Sequence, residues 1–233
     1  MSTVPAAALR LWCRLADDPS ALAPGTRRVT RDTNGFCPPG WVGVVRLGDA
    51  YALDPGVADA DVIGRLLALD DPTDPTQVRT VLAPQQALGP AELAYLPDNW
   101  VAPEIRHDGV VLEERDVAGL RDWLRTLPED DLAESSVIDM SRVVVALVDG
   151  DIAGAVGHLA WPEQVAHIGI VVGPDHRRRG VGRALAVAGT VRAQRAGLAP
   201  QWRAASDNPA SRALAAAVGY AEVGRQFSFA PAD

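Results

Sequence analysis

The chain has 233 residues, 48% of them hydrophobic, and a formal charge of −8, enough to bury a substantial core in one large domain or two small ones. Residues 1–100 carry 8 Arg against 12 acids and residues 101–233 carry 14 Arg against 18 acids, so both halves are acidic and neither is a basic nucleic-acid platform. Cys13 and Cys37 are too few for a disulfide framework or a zinc site, the four histidines form no His-x-x-x-His pair, and no run of 18 apolar residues is present.

Pro5 to Leu15 has the apolar spacing of an amphipathic helix, and Arg10, Arg14 and Asp17 leave no clean signal peptide there. The expectation is a soluble, cytoplasmic protein with no metal, no membrane and no nucleic-acid partner. Val42 to Leu47 and Ala50 to Leu53 read as a hairpin turning at Gly48-Asp49, and Asp59 to Leu69 as a second helix. Pro90 to Leu96 fits either a helix or a strand. Pro97 to Pro103 is the best linker candidate, which predicts an N-terminal α/β half over 1–99 and a second domain over 100–233. Beyond it, Val110 to Glu114 reads as a strand. Asp116 is expected to cap a helix to Thr126 with Leu120, Trp123 and Leu124 on its inner face. Glu129 to Glu134 is an acidic turn or short helix. Val143 to Leu147 and Ile152 to Trp161 form a hairpin through Asp149-Gly150-Asp151, and Val165 to Val172 is the next strand. A helix over Val181 to Arg195, a short strand over Ala199 to Ala205, a helix from Asn208 to Gly219 and a closing strand from Glu222 to Ala230 complete the order.

The most informative stretch joins the strand ending at Val172 to the helix starting at Val181, through Arg177-x-x-Gly180-x-Gly182. The first amides of a helix have no partner within it, and the peptide dipoles add positive charge there. Gly180 and Gly182 carry no Cβ and let an anion approach the backbone, so the turn is a candidate phosphate cradle. It is not a Walker loop, because the chain contains no lysine. A dinucleotide fingerprint is also excluded: position 185 is Leu, and Ala204, Ala205 and Ser206 stand where its acidic residue belongs.

The loop resembles the pyrophosphate loop of the GNAT superfamily of acyl-CoA-dependent N-acyltransferases. Asn208-x-x-Ser211, Leu214 and Gly219-Tyr220 are similar to that superfamily's second signature and follow in the right order. Loop and signature together resemble a two-part bacterial subgroup in which an extra N-terminal half precedes the acetyltransferase half. The resemblance is strong over Val143 to Ala230 and weaker before. It implies an α+β fold with a mixed, mostly antiparallel sheet flanked by helices, acetyl-CoA as cosubstrate, a small-molecule primary amine as acceptor, and room for a homodimer. The amine would attack the thioester directly.

Carried over residue by residue, the resemblance places backbone groups of Val171 and Val172 beside the pantetheine arm, where two strands splay apart. It places the amides of Arg177, Arg178, Arg179, Gly180, Val181 and Gly182 on the pyrophosphate. Asn208 would contact the pantetheine side, and could equally be a helix N-cap. Arg178, Arg179 and Arg212 could reach phosphates or stand in solvent. The tyrosine that members often use as acid is Ala215 here. His167 and Glu134 are the candidate catalytic residues for the proton, with His158 and Asp131 behind them. Members carry active-site groups at positions equivalent to Ala166 and Ile168. Strand alternation therefore turns His167 to the opposite face unless a bulge intervenes. The alternatives are a non-catalytic acyl-CoA sensor or scaffold, and a transferase acting on protein or peptide amines.

Overall fold

A computed structural model describes residues 3–30, 36–104 and 109–230. In chain order the elements are α1 (Ala6–Leu15), β1 (Arg27–Val29), β2 (Val42–Leu47), β3 (Ala50–Asp54), α2 (Ala60–Leu67), α3 (Pro75–Val78), β4 (Gln86–Tyr95), β5 (Val110–Asp116), α4 (Arg121–Leu124), α5 (Glu129–Ser135), β6 (Arg142–Val148), β7 (Asp151–Trp161), β8 (Val165–Val172), α6 (Val181–Arg195), β9 (Ala199–Ala205), α7 (Pro209–Val218) and β10 (Ala221–Ala230). No described helix is long and apolar enough to cross a membrane.

The chain folds as two compact units that are not consecutive in sequence. The first comprises Met1–Tyr95, Arg203–Arg212 and Ala221–Asp233, and the second Leu96–Trp202 and Ala213–Tyr220. The linker reading put everything after residue 100 in one domain. The structure differs because β10 is largely buried on both faces and takes an antiparallel place between β2 and β4.

In the first unit the strand order is β1-β3-β2-β10-β4, with β1 parallel to β3 and the other pairs antiparallel. Alternate residues Val42 and Val44 of β2, Tyr51 and Leu53 of β3, and Phe227 and Phe229 of β10 point to one face. There they bury Ile63 and Leu66 of α2 and Val78 of α3. Burial of each such side chain contributes roughly 1.5–3 kcal/mol. Helix α2 starts where the Asp59 carboxylate accepts the Val62 amide at 2.8 Å. Pro90 to Leu96, open between helix and strand, lies for the most part in β4, which pairs with β10.

In the second unit the order is β9-β8-β7-β6-β5; β9 runs parallel to β8 and the other neighbours are antiparallel. One face carries Val143, Val145, Ala155 and Val171, packed on Val117, Leu120, Leu124, Leu127, Val137 and Met140. Helix α6 covers the other. The helix expected from Asp116 to Thr126 is instead a 3₁₀ turn over Val117–Leu120 followed by the single turn α4. Asp116 makes no capping hydrogen bond. It ends β5 opposite Arg142 and pairs with that guanidinium at 3.3 Å. Leu120 and Leu124 are buried and Trp123 is partly buried against them, as the spacing required.

Candidate functional site

The site is built on β8. This strand pairs with β7 along its whole length, from Trp161↔Val165 to Gly154↔Val172, without a register shift. Its pairing with β9 covers only Val165↔Ala199, Ala166↔Pro200 and His167↔Gln201. From Ile168 onward the β9 side of β8 has no ladder partner among the described residues. Backbone groups along such an edge remain available to a ligand in extended conformation. Val171 and Val172 end this stretch. The Val172 carbonyl is already engaged by Arg177 Nε at 3.2 Å.

After β8 the Gly173 amide donates to Ala153 at 2.9 Å, and a 3₁₀ turn over Pro174–His176 leads to Arg177 in an extended conformation. Arg178 has φ +59 and Gly180 φ +82. Gly180 thus takes the left-handed conformation that glycine adopts without steric cost, and it N-caps α6 with no side-chain bond. Its carbonyl accepts the amides of Arg183 and Ala184 at 3.1 and 3.2 Å. The amides of Val181 and Gly182 come before these and find no acceptor among the described residues. Two open amides at the positive end of a helix of 15 residues form a cradle suited to an anion.

A Cβ on Gly182 would lie 3.4 Å from Leu214 Cδ2 and 3.6 Å from Val172 Cγ2. These are ordinary van der Waals distances, so the packing of α6 on α7 and β8 does not itself require a glycine at this position.

The arginines divide. Arg177 is a brace: besides Val172, its guanidinium pairs with the Asp131 carboxylate and so ties the end of β8 to α5. Arg178 and Arg179 are exposed, with no partner among the described residues. Arg212 is committed to Glu222, at 2.7 and 3.0 Å, and to the Ser206 carbonyl at 3.2 Å. Its pKa rises because Glu222 holds the proton in place. Asn208 accepts the Ser211 amide at 3.0 Å, which makes it an N-cap of α7. Asn208 and Arg212 belong to the first unit, whereas Val171, Val172 and residues 177–182 belong to the second.

The candidate catalytic groups also separate. Gly169 and Val171 face α5 and its flanks: a Cβ on Gly169 would lie 2.0 Å from the Ser135 carbonyl oxygen, and Val171 packs among the α4 cluster. His167 is two residues earlier on the unbulged strand and faces the same way, opposite to Ala166 and Ile168. It is 8% exposed and stacked on Trp161 at 5.0 Å. Glu134 is exposed on α5, one residue before the segment clamped over Gly169. Asp131 is taken by Arg177. His158 on β7 is half-buried, and burial followed by the charge of Arg192 lowers its pKa.

Two features escaped the sequence reading. Tyr220, read there as a helix-end aromatic, is buried, tilted against Trp202 at 5.4 Å, and shares a 2.8 Å hydrogen bond with Thr190 of α6. Burial raises its phenol pKa, and neither it nor the buried Ala215 offers an accessible proton. The pairing of Thr190 with Tyr220, thirty residues apart, has no local signal. Arg203 of β9 has its Nε enclosed with no acceptor among the described residues, and burial lowers its pKa. Only the unusual Trp202-Arg203 step inside a short strand could have flagged it.

A mixed sheet whose strand β8 loses a neighbour and then turns through a left-handed glycine into a helix with open amides defines the class: an α+β domain with an anion cradle at a strand end. Residues 111–220 match the model described as Acetyltransferase (GNAT) family. This stretch, a little under half of the chain, is similar to a family that uses acetyl-CoA. Among solved structures the chain is similar to a GCN5-related N-acetyltransferase from Kribbella flavida, with 18% identity and TM-score 0.50 over 67% of this chain and 63% of that one. It is also similar to an acetyltransferase of the GNAT family from Colwellia psychrerythraea, with 15% identity and TM-score 0.49 over 63% and 57%. A third is the structure of yncA from Salmonella typhimurium with its cofactor acetyl-CoA, with 16% identity and TM-score 0.40 over 54% and 95%. The chain thus spans less than two thirds of the Kribbella and Colwellia proteins. No curated protein matches it.

Proposed function

We propose that the protein is an acetyl-CoA-dependent N-acetyltransferase that acylates a primary amine of a small molecule in the cytoplasm. The observation that carries this reading is the continuous path from the unpaired edge of β8, through Gly180, to the open amides of Val181 and Gly182. That path suits an extended pantetheine arm followed by a pyrophosphate. The residues would position the thioester for attack by the amine nitrogen: a cationic acceptor first loses one proton, the C–N bond forms as the C–S bond breaks, and a second proton from the nitrogen neutralises the departing CoA thiolate. The formal charge of −8 favours approach of a cationic acceptor.

For the proton we favour Glu134, acting directly or through water, over His167. Glu134 is exposed, whereas His167 is buried and stacked. Arg177 and Asp131 act as positioning residues that fix α5 against β8. One observation favours a second reading, a sensor that binds acyl-CoA without turnover: Ala215 is buried where members often carry an acid, and Tyr220 is bonded to Thr190. Release of free thiol from acetyl-CoA across a panel of small amines and peptides separates the readings. Amine-dependent thiol release supports the enzyme, release with peptides alone moves the acceptor to protein amines, and CoA binding without release supports the sensor.

A further inference from the structure

Along the outer half of α6 the second unit has an open, groove-like cavity of about 600 Å³ that none of the residues assigned to acyl transfer lines. This is within the ~300–1,000 Å³ of pockets that take small organic ligands. Its walls are Val110, Leu112 and Glu114 of β5, Val144 of β6, and Val187, Ala188 and Val191 of α6. The sequence explains why the space is unfilled. Ala184 and Ala188, one turn apart, present only methyl groups toward β5. Strand β5 is the edge of the unit's sheet, and Leu112 remains 41% exposed.

Charge marks one end. Arg192 and Arg195 line the cavity near the C-terminus of α6. Arg192 is held by Glu114 at 3.2 Å, and that carboxylate also meets Arg142 at 3.6 Å. Arg195 has no ion pair among the described residues. Glu114, which also lines the cavity, offsets Arg192, and the Arg195 guanidinium outweighs the partial negative charge of the helix end, about half an elementary charge. Ala184 to Arg195 spans about 16 Å at 1.5 Å per residue, so the cavity is long and apolar with a cationic end.

We propose that this cavity binds a medium-chain aliphatic carboxylate, its hydrocarbon along Leu112, Val187 and Val191 and its carboxylate on Arg195. A guanidinium presents paired donors that match a carboxylate. The site does not rest on the acyl-transfer reading, since Arg195 lies about 20 Å along α6 from Gly182 at the same rise per residue.

The test is calorimetric titration of the full chain with octanoate, decanoate and dodecanoate, with decanol as the uncharged control. Affinity should rise about fourfold per added CH₂, the equivalent of ~0.8 kcal/mol per buried methylene. Arg195→Gln, an exposed change that leaves the fold intact, should weaken decanoate about tenfold or more and leave decanol unchanged. Ala188→Phe should fill the cavity and abolish binding of both, with CoA affinity unaltered. No response to decanoate at millimolar concentration overturns the proposal. So does a chain-length-independent affinity, or binding that survives both variants. Sedimentation showing a dimer that Ala188→Phe dissociates would make the groove an interface between copies and would also overturn it.

Discussion

Gly180→Val tests the cradle at its most constrained point. Gly180 sits at φ +82 as the N-cap of α6, where an L-residue is strained by about 1–2 kcal/mol and a β-branched one by more. At roughly 2–4 °C per kcal/mol for a chain of this size, the melting temperature should fall by about 3–8 °C. The larger effect should be on ligand. Relief of the strain rotates the peptide units that carry the Val181 and Gly182 amides. A hydrogen bond to a charged group contributes about 1.5–3 kcal/mol, so loss of even one weakens CoA roughly 10- to 150-fold. Calorimetric titration of CoA into wild type and variant, with thermal unfolding measured in parallel, reads both effects. Arg178→Gly, at φ +59, relieves backbone strain in the same loop and should raise the melting temperature while weakening CoA less than Gly180→Val does. A Gly180→Val protein that melts lower yet binds CoA as wild type does would refute the assignment of the anion to these amides.

Further outcomes follow from single residues. His167→Ala should lower stability by about 2–4 kcal/mol through loss of a buried, stacked ring, and leave the pH profile of turnover unchanged; disappearance of a limb near pH 6.5 would restore His167 as the base. Gly169→Ala would set a Cβ 2.0 Å from the Ser135 carbonyl and should push α5 away, cutting turnover more than CoA affinity; unchanged kinetics would detach α5 from the acceptor site. Arg203→Met should raise stability by about 1–2 kcal/mol if the guanidinium is simply enclosed without a counter-charge, and a destabilised variant would show that it has a partner in solution. The folded-state pKa of His158 lies below the unfolded value, so the unfolded chain takes up its proton first. Stability should therefore fall as pH drops from about 6.5 toward the folded pKa, and His158→Gln should flatten that slope in denaturant titrations at several pH values.

Much of the site's frame was legible because its signals are local. The loop's glycines, the apolar run of β8 and the alanine-rich helix from Val181 to Arg195 are read directly from spacing, and α6 has those bounds. The hairpins β2–β3 and β6–β7 announce themselves through Gly48-Asp49 and Asp149-Gly150-Asp151. What failed depends on neighbours distant in sequence. Asp116 has the chemistry of an N-cap, yet its cross-strand partner Arg142 claims it. Strand β1 has three residues with no alternation to read, and it forms because β3 is there to pair with. Gly180 and Gly182 look identical in sequence; only the backbone separates Gly180, which takes a positive φ, from Gly182, which does not. Arg212 and Glu222 lie ten residues apart on different elements, and nothing in their spacing signals that they pair.

On the proposed reading, the loop between β8 and α6 holds the phosphates of an acyl-CoA. Calorimetric titration of CoA into the wild-type chain tests it most directly. Saturable binding of one CoA per chain, weakened by added salt and at least tenfold weaker in Gly180→Val, is the predicted result. Absence of binding heat at millimolar CoA, together with an unchanged melting temperature, would contradict it.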